Sequence, residues 1–390
     1  MRRRKGLQFG LALIAAAALL VLIWYFLPFA QTVACEHSSD ALGCVQSVLL
    51  KETEARGIGS AFATFRQLYA FDPAFSQNCH YETHAIGQGA YELYEKGESI
   101  APQNEFSYCG FGFYHGFMIS LLASTNDPQD AYRFCEQQAS IETDTMHSCM
   151  HGFGHGISEF DQVTDWSDPL SVIAPELGIC KRISTDVSQQ SLCAGGVFNS
   201  LGEEFIAKWA ADHSFTGIID QSHPYAICEA QSYAPFRAGC FRDFNSVIAA
   251  LSRDTFGIGA ALVAEIPDQA DAALAMENFS DYLARDLQNN TALIQAAAES
   301  CYKARPDLVA SCIEGYAEGL LEFSTPGKEY LSAIAFCAAP QLRDADRDAC
   351  FKTIVDSSEH SPAATFRAMC AALPRSEANL CVASSSPSRQ

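Results

Sequence analysis

Cys149-Met150-His151-Gly152-Phe153-Gly154-His155-Gly156 sets the frame of this chain. A cysteine is followed by glycine at +3, an aromatic residue at +4, a polar residue at +6 and a small residue at +7. The frame recurs as Cys109-Gly110-Phe111-Gly112-Phe113-Tyr114-His115-Gly116 and as Cys312-Ile313-Glu314-Gly315-Tyr316-Ala317-Glu318-Gly319. A fourth copy, Cys193-Ala194-Gly195-Gly196-Val197-Phe198-Asn199-Ser200, has valine at the aromatic position. Small residues four apart share one helical face and let a second helix come close. Glycine inside a helix costs about 0.5–1 kcal/mol against alanine, so its recurrence points to close packing.

Working outward from this frame, three of its four cysteines have a partner a short distance upstream. The sixteen cysteines predict eight disulfides: Cys35–Cys44, Cys79–Cys109, Cys135–Cys149, Cys180–Cys193, Cys228–Cys240, Cys301–Cys312, Cys337–Cys350 and Cys370–Cys381. Seven pairs have short spacing; Cys79 and Cys109 are the two left over. An even count at recurring spacing implies an oxidising compartment and a repeated unit. The first cysteine of a pair closes one helix-like run, such as Ala333-Ile334-Ala335-Phe336-Cys337. The second opens the next, and a polar stretch lies between them. The unit is therefore helix, loop, helix, with each bond adding on the order of 3 kcal/mol.

The expected fold is all-α: disulfide-stapled helix-pair repeats forming a solenoid or superhelical bundle, preceded by one N-terminal transmembrane helix. Alternation of period two is scarce. Five segments are expected. Residues 1–6 form a basic cytoplasmic stub and 7–30 a transmembrane signal-anchor. Residues 35–240 hold the His/Gly-rich repeats with the candidate site. Residues 241–382 hold further repeats and a C-terminal cap, and 383–390 form a disordered tail. Between Cys240 and Cys301 there is no cysteine, and an inserted helical unit is expected there.

Arg2, Arg3, Arg4 and Lys5 precede an uncharged run from Leu7 to Ala30, long enough to cross a bilayer. The basic cluster orients such a helix with its N-terminus in the cytoplasm and the bulk extracytoplasmic, periplasmic or extracellular. A cleaved signal peptide is the competing reading, with Thr32-Val33-Ala34 as its cleavage site. Removing those four basic residues leaves 21 basic against 46 acidic, a net −25. Nucleic acid is excluded as a partner, because phosphate binding needs a basic surface. The membrane and a protein or peptide partner remain as partners.

Six of the ten histidines fall between Cys79 and His155. His80 and His84 are four apart, as are His151 and His155, so each pair aims two imidazoles the same way from a helix. His115 and His155 both occupy +6 of their frames. A Cys79–Cys109 bond ties the starts of two helices and brings His80, His84 and His115 to similar heights. These five histidines are the candidate metal ligands, for zinc, copper or iron. Glu159, on the face of His155, and Asn199, at +6 of the next frame, are accessory candidates. Glu82 sits on a different face from the His80/His84 pair, and it, Glu203 and Glu204 read as ligands, bases or solvated surface acids. His147 reads as a turn residue, and His37, His213, His223 and His360 as isolated.

Three functions are compatible with this pattern. The first is a membrane-tethered extracytoplasmic protein binding a transition metal. The second is a repeat scaffold for protein partners in which the histidines only hydrogen-bond across helix seams. The third is a metal-dependent hydrolase or oxidoreductase. Zincin, Walker, nucleophile-elbow and Cys-x-x-Cys motifs are absent.

Overall fold

A computed structural model describes residues 27–384, apart from 72–74, 76–77, 142–144, 159–162, 164, 213–218, 288–289 and 359–362. Helices and short 3-10 turns make up the regular structure of the described residues.

Seven helices form an inner row. They are α1 (Cys79–Glu95), α2 (Tyr108–Thr125), α3 (Thr145–Gly156), α4 (Val187–Asp212), α5 (Ala234–Asp243), α6 (Gln269–Ala284) and α7 (Val309–Phe323). Each packs on the next, and α7 packs back on α2. The row therefore curves round until its far end meets its beginning. The Tyr69 hydroxyl donates to the Phe323 carbonyl across that closure.

The glycine frame explains the close spacing. A Cβ on Gly112 or Gly116 would strike the carbonyl oxygens of His80 and His84 on α1. One on Gly196 would strike the His151 carbonyl, and one on Gly315 that of Glu277. Each frame thus seats its helix on the backbone of the inner helix before it. That contact also fixes the polar +6 position relative to residues one helix away.

Eight disulfides form and none of the cysteines is free; four of the bonds tie an inner helix to a helix or 3-10 turn outside the row that precedes it in the chain. The helix Pro128–Ala139 is tied to α3 through Cys135–Cys149, and Pro169–Ile183 to α4 through Cys180–Cys193. Cys79–Cys109 joins the starts of α1 and α2. Several helices begin at an Asp or Asn cap, and Asp127 and Asp168 also have proline in the first turn. Between the inner row and the outer helices lies an aromatic core in which Phe106 stacks on Phe113 at 3.6 Å.

The start of α2 is unusual. Cys109, Gly110 and Phe111 have φ of 54°, 70° and 57°, a left-handed turn that precedes the regular helix. A non-glycine residue in that region costs about 1–2 kcal/mol. Here the Cys79–Cys109 bond and buried neighbours hold it.

The expected stub at 1–6 and the anchor at 7–30 as far as Phe26 lie outside the described residues. Residues 27–34 are helical. No helix among the described residues is long and apolar enough to cross a membrane. The last helix, Ala378–Ser384, runs two residues into the segment 383–390 expected to be disordered. The inserted unit contributes α6, which joins the inner row without a cysteine of its own.

Candidate metal centre

The five histidines of the sequence reading come together where α1, α2 and α3 pack. His80 and His84 stand one turn apart on α1, with ring centroids 4.7 Å apart. His115 of α2 lies 4.8 Å from His80 and 5.2 Å from His84. On its other side it stacks on His151 at 4.8 Å and His155 at 4.2 Å, both from α3. His115 and His155 are buried, and the other three are partly buried.

The outer nitrogen of three rings is held by a partner. His80 Nδ1 lies 2.8 Å from the Cys109 carbonyl oxygen, so it carries the proton and donates. His155 Nδ1 lies 2.9 Å from Ser200 Oγ. His151 Nδ1 lies 3.5 Å from Asp243 Oδ1. Anchoring at Nδ1 turns Nε2 inward. His84 Nε2 and His155 Nε2 are buried and have no hydrogen-bond partner among the described residues. A buried orphan of this kind needs an explanation, and a carbonyl, hydroxyl or carboxylate behind each imidazole is the usual support for a metal ligand.

Burial keeps these rings neutral. It lowers the pKa of His80 and of His151 to about 4, with Arg242 adding to the effect at His151. It lowers His84, His115 and His155 well below the ordinary value, helped by the neighbouring imidazoles. Neutral imidazoles present lone pairs at pH 7 without first losing a proton.

His80, His115 and His151 face a cavity of about 450 Å³ inside the closed row. Asn199, Glu203, Arg242, Asp243, Asp281, Arg285 and Glu322 also line it. Burial raises Glu203, Asp243 and Glu322 to about 7, and pushes Asp281 up as well. A cation in the cluster would favour the ionised form of each. Arg285 lies over the Tyr282 ring at 3.5 Å, and buried Arg242 Nη1 has no hydrogen-bond partner among the described residues. A second cavity of about 610 Å³ shares Phe111, His147, Ser148 and Glu322 with the first. The two are therefore neighbours, and the second is lined by both α7 and the 3-10 turn Asn104–Ser107.

The accessory candidates part company. Asn199 lines the cavity, whereas Glu159 lies outside the described residues. Glu82 is not a surface acid: it is 2% exposed, its Oε2 lacks a partner among the described residues, and burial raises it to about 8. Tyr81 donates to Glu203 at 3.4 Å, while Glu204 pairs with Lys208 at 2.8 Å. His147 is helical rather than in a turn and borders both cavities. His223 lies beside Glu229, and His213 and His360 fall outside the described residues.

Ser200 and Asp243 escaped the sequence reading. Ser200 is the +7 residue of its frame, the one copy of the four that has serine there instead of glycine, and that departure was a usable signal. Asp243 occupies space over Gly195, which a Cβ there would fill. No motif announces it.

Comparison with protein-family models, with curated proteins and with solved structures finds no match for this chain.

Proposed function

We propose that this is an extracytoplasmic helical-repeat protein that binds a transition metal through His80, His84, His115, His151 and His155. The carrying observation is the buried Nε2 of His84 and of His155, each without a hydrogen-bond partner among the described residues, with Ser200 behind the His155 ring at Nδ1. A purely structural cluster would spend its nitrogens on hydrogen bonds, and these two are not so spent. Imidazole donors suit zinc, copper or iron. The eight disulfides agree with an oxidising compartment, and residues 7–30 are assigned as the membrane anchor, with 1–6 as its cytoplasmic stub.

The cavity favours a catalytic use over a sealed structural one. A structural zinc site is closed by four protein ligands, while a catalytic one keeps a position open. The histidines form groups of three, and three of the rings face the cavity. Glu203 and Asp243 stand in that cavity as candidate bases, and Arg242 and Arg285 as cationic groups for a polar substrate. A metal-dependent hydrolase or oxidoreductase is the resulting second reading.

Elemental analysis of the purified full-length protein after incubation with zinc or copper tests the proposal. Stoichiometric metal is expected, with a large loss in the His84→Ala, His155→Ala double variant. Metal-free protein with unchanged melting after either addition would reject it.

A further inference from the structure

The five imidazoles do not converge on one point. Their ligand atoms fall into two groups of three, His80–His84–His115 and His115–His151–His155, each drawn within 4.8 Å. No larger group is present among the described residues. His115 belongs to both, and its ring lies between the other four. Its Nδ1 lies 3.1 Å from His80 Nε2, so that nitrogen faces the α1 pair. The two nitrogens of one ring point in diverging directions. A bridge through this ring assigns its other nitrogen, Nε2, to the α3 pair, on which the ring stacks.

We propose that the cluster holds two transition-metal ions, one in each triad, joined by His115 as a bridging imidazolate. This rests on the metal-binding reading above and adds the number of ions and the connection between them. Each ion takes one lone pair from each ring of its triad. The single ring proton of His115 leaves to solvent when both nitrogens are engaged, and no redox step is involved. The left-handed turn at Cys109–Phe111 contributes directly. It brings the Cys109 carbonyl to His80 Nδ1, which commits His80 Nε2 to the first ion. Ser200 and Asp243 stand behind the His155 and His151 rings of the second triad. Three protein ligands per ion leave each an open position. His80, His115 and His151, which face the cavity, come from both triads. Four cavity carboxylates, Glu203, Asp243, Asp281 and Glu322, oppose the added positive charge.

The test uses full-length protein dialysed against zinc or against copper(II). Two ions per chain are expected, falling to one in His84→Ala and to one in His155→Ala. Copper(II)-loaded wild-type protein should give a strongly reduced electron paramagnetic resonance signal at low temperature, because the imidazolate couples the two spins. The same protein loaded to one equivalent should show a larger signal per copper. One ion per chain at saturation would overturn the bridge while leaving the metal reading intact. So would two ions with full, independent signals. A chain that binds no metal would overturn both. The wild-type spectrum needs no variant, so a failure of any substituted chain to fold does not blur the outcome.

Discussion

Ser200 supplies a single hydroxyl, yet it sets which nitrogen of His155 faces the cluster. Ser200→Ala should lower metal affinity about 10–100-fold, the usual range for a lost supporting partner, with little change in melting of the metal-free protein. Competition against a chelator reads this, and unchanged affinity would remove Ser200 from the site. Glu82 makes a different claim. Its folded pKa of about 8 lies above the ordinary carboxyl value. Between those values the folded chain holds the extra proton, so stability falls as pH rises through that window and levels off above about 8. The slope is at most about 1.4 kcal/mol per pH unit. Glu82→Gln removes this term, so in urea titrations at pH 5 and pH 8 the variant should gain on wild type at the higher pH. Parallel stability curves would show that Glu82 is better solvated than its burial implies.

At the scale of the helix, the glycine frame divides glycines into two kinds. Gly116 faces the His84 backbone, whereas Gly257, in the helix Phe256–Ala264, has nothing among the described residues within 4 Å of a Cβ position. Gly116→Ala should cost about 2 kcal/mol or more by forcing α1 and α2 apart. Gly257→Ala should gain about 0.5–1 kcal/mol from helix propensity. Denaturant midpoints separate the two, and equal effects would undo the packing argument. This division was legible in the chain because the frame repeats, and so was the gathering of His80, His84, His115, His151 and His155. Periodicity places residues on a face, and the cysteines place the faces side by side. The left-handed turn at Cys109–Phe111 was not legible, since two of its three residues rarely adopt that conformation and only tertiary contacts hold it there. Asp243 was hidden for a related reason: its place beside His151 depends on the space that Gly195 leaves on another helix.

For the molecule as a whole, the staples make a prediction that needs no functional assay. Peptide mapping without reduction should recover Cys135 linked to Cys149 and Cys79 linked to Cys109. Recovery of Cys79 with any other partner would dissolve the alignment of α1 with α2 on which the histidine cluster stands. The cavity itself was beyond sequence reasoning. Nothing local in Val309–Phe323 says that it returns to Tyr108–Thr125, a contact between distant parts of the chain. Glu322 and His80 border one space only because of that return.

The closure also limits what evolution can do with this architecture. An open stack of units tolerates gain or loss of a unit at its ends, and its length drifts. Here an added or deleted inner helix would pull Phe323 away from Tyr69 and split the chamber. Tandem duplication is therefore closed to this chain as a route to novelty, and variation is confined to the outer helices, the loops between paired cysteines, and the side chains that line the interior.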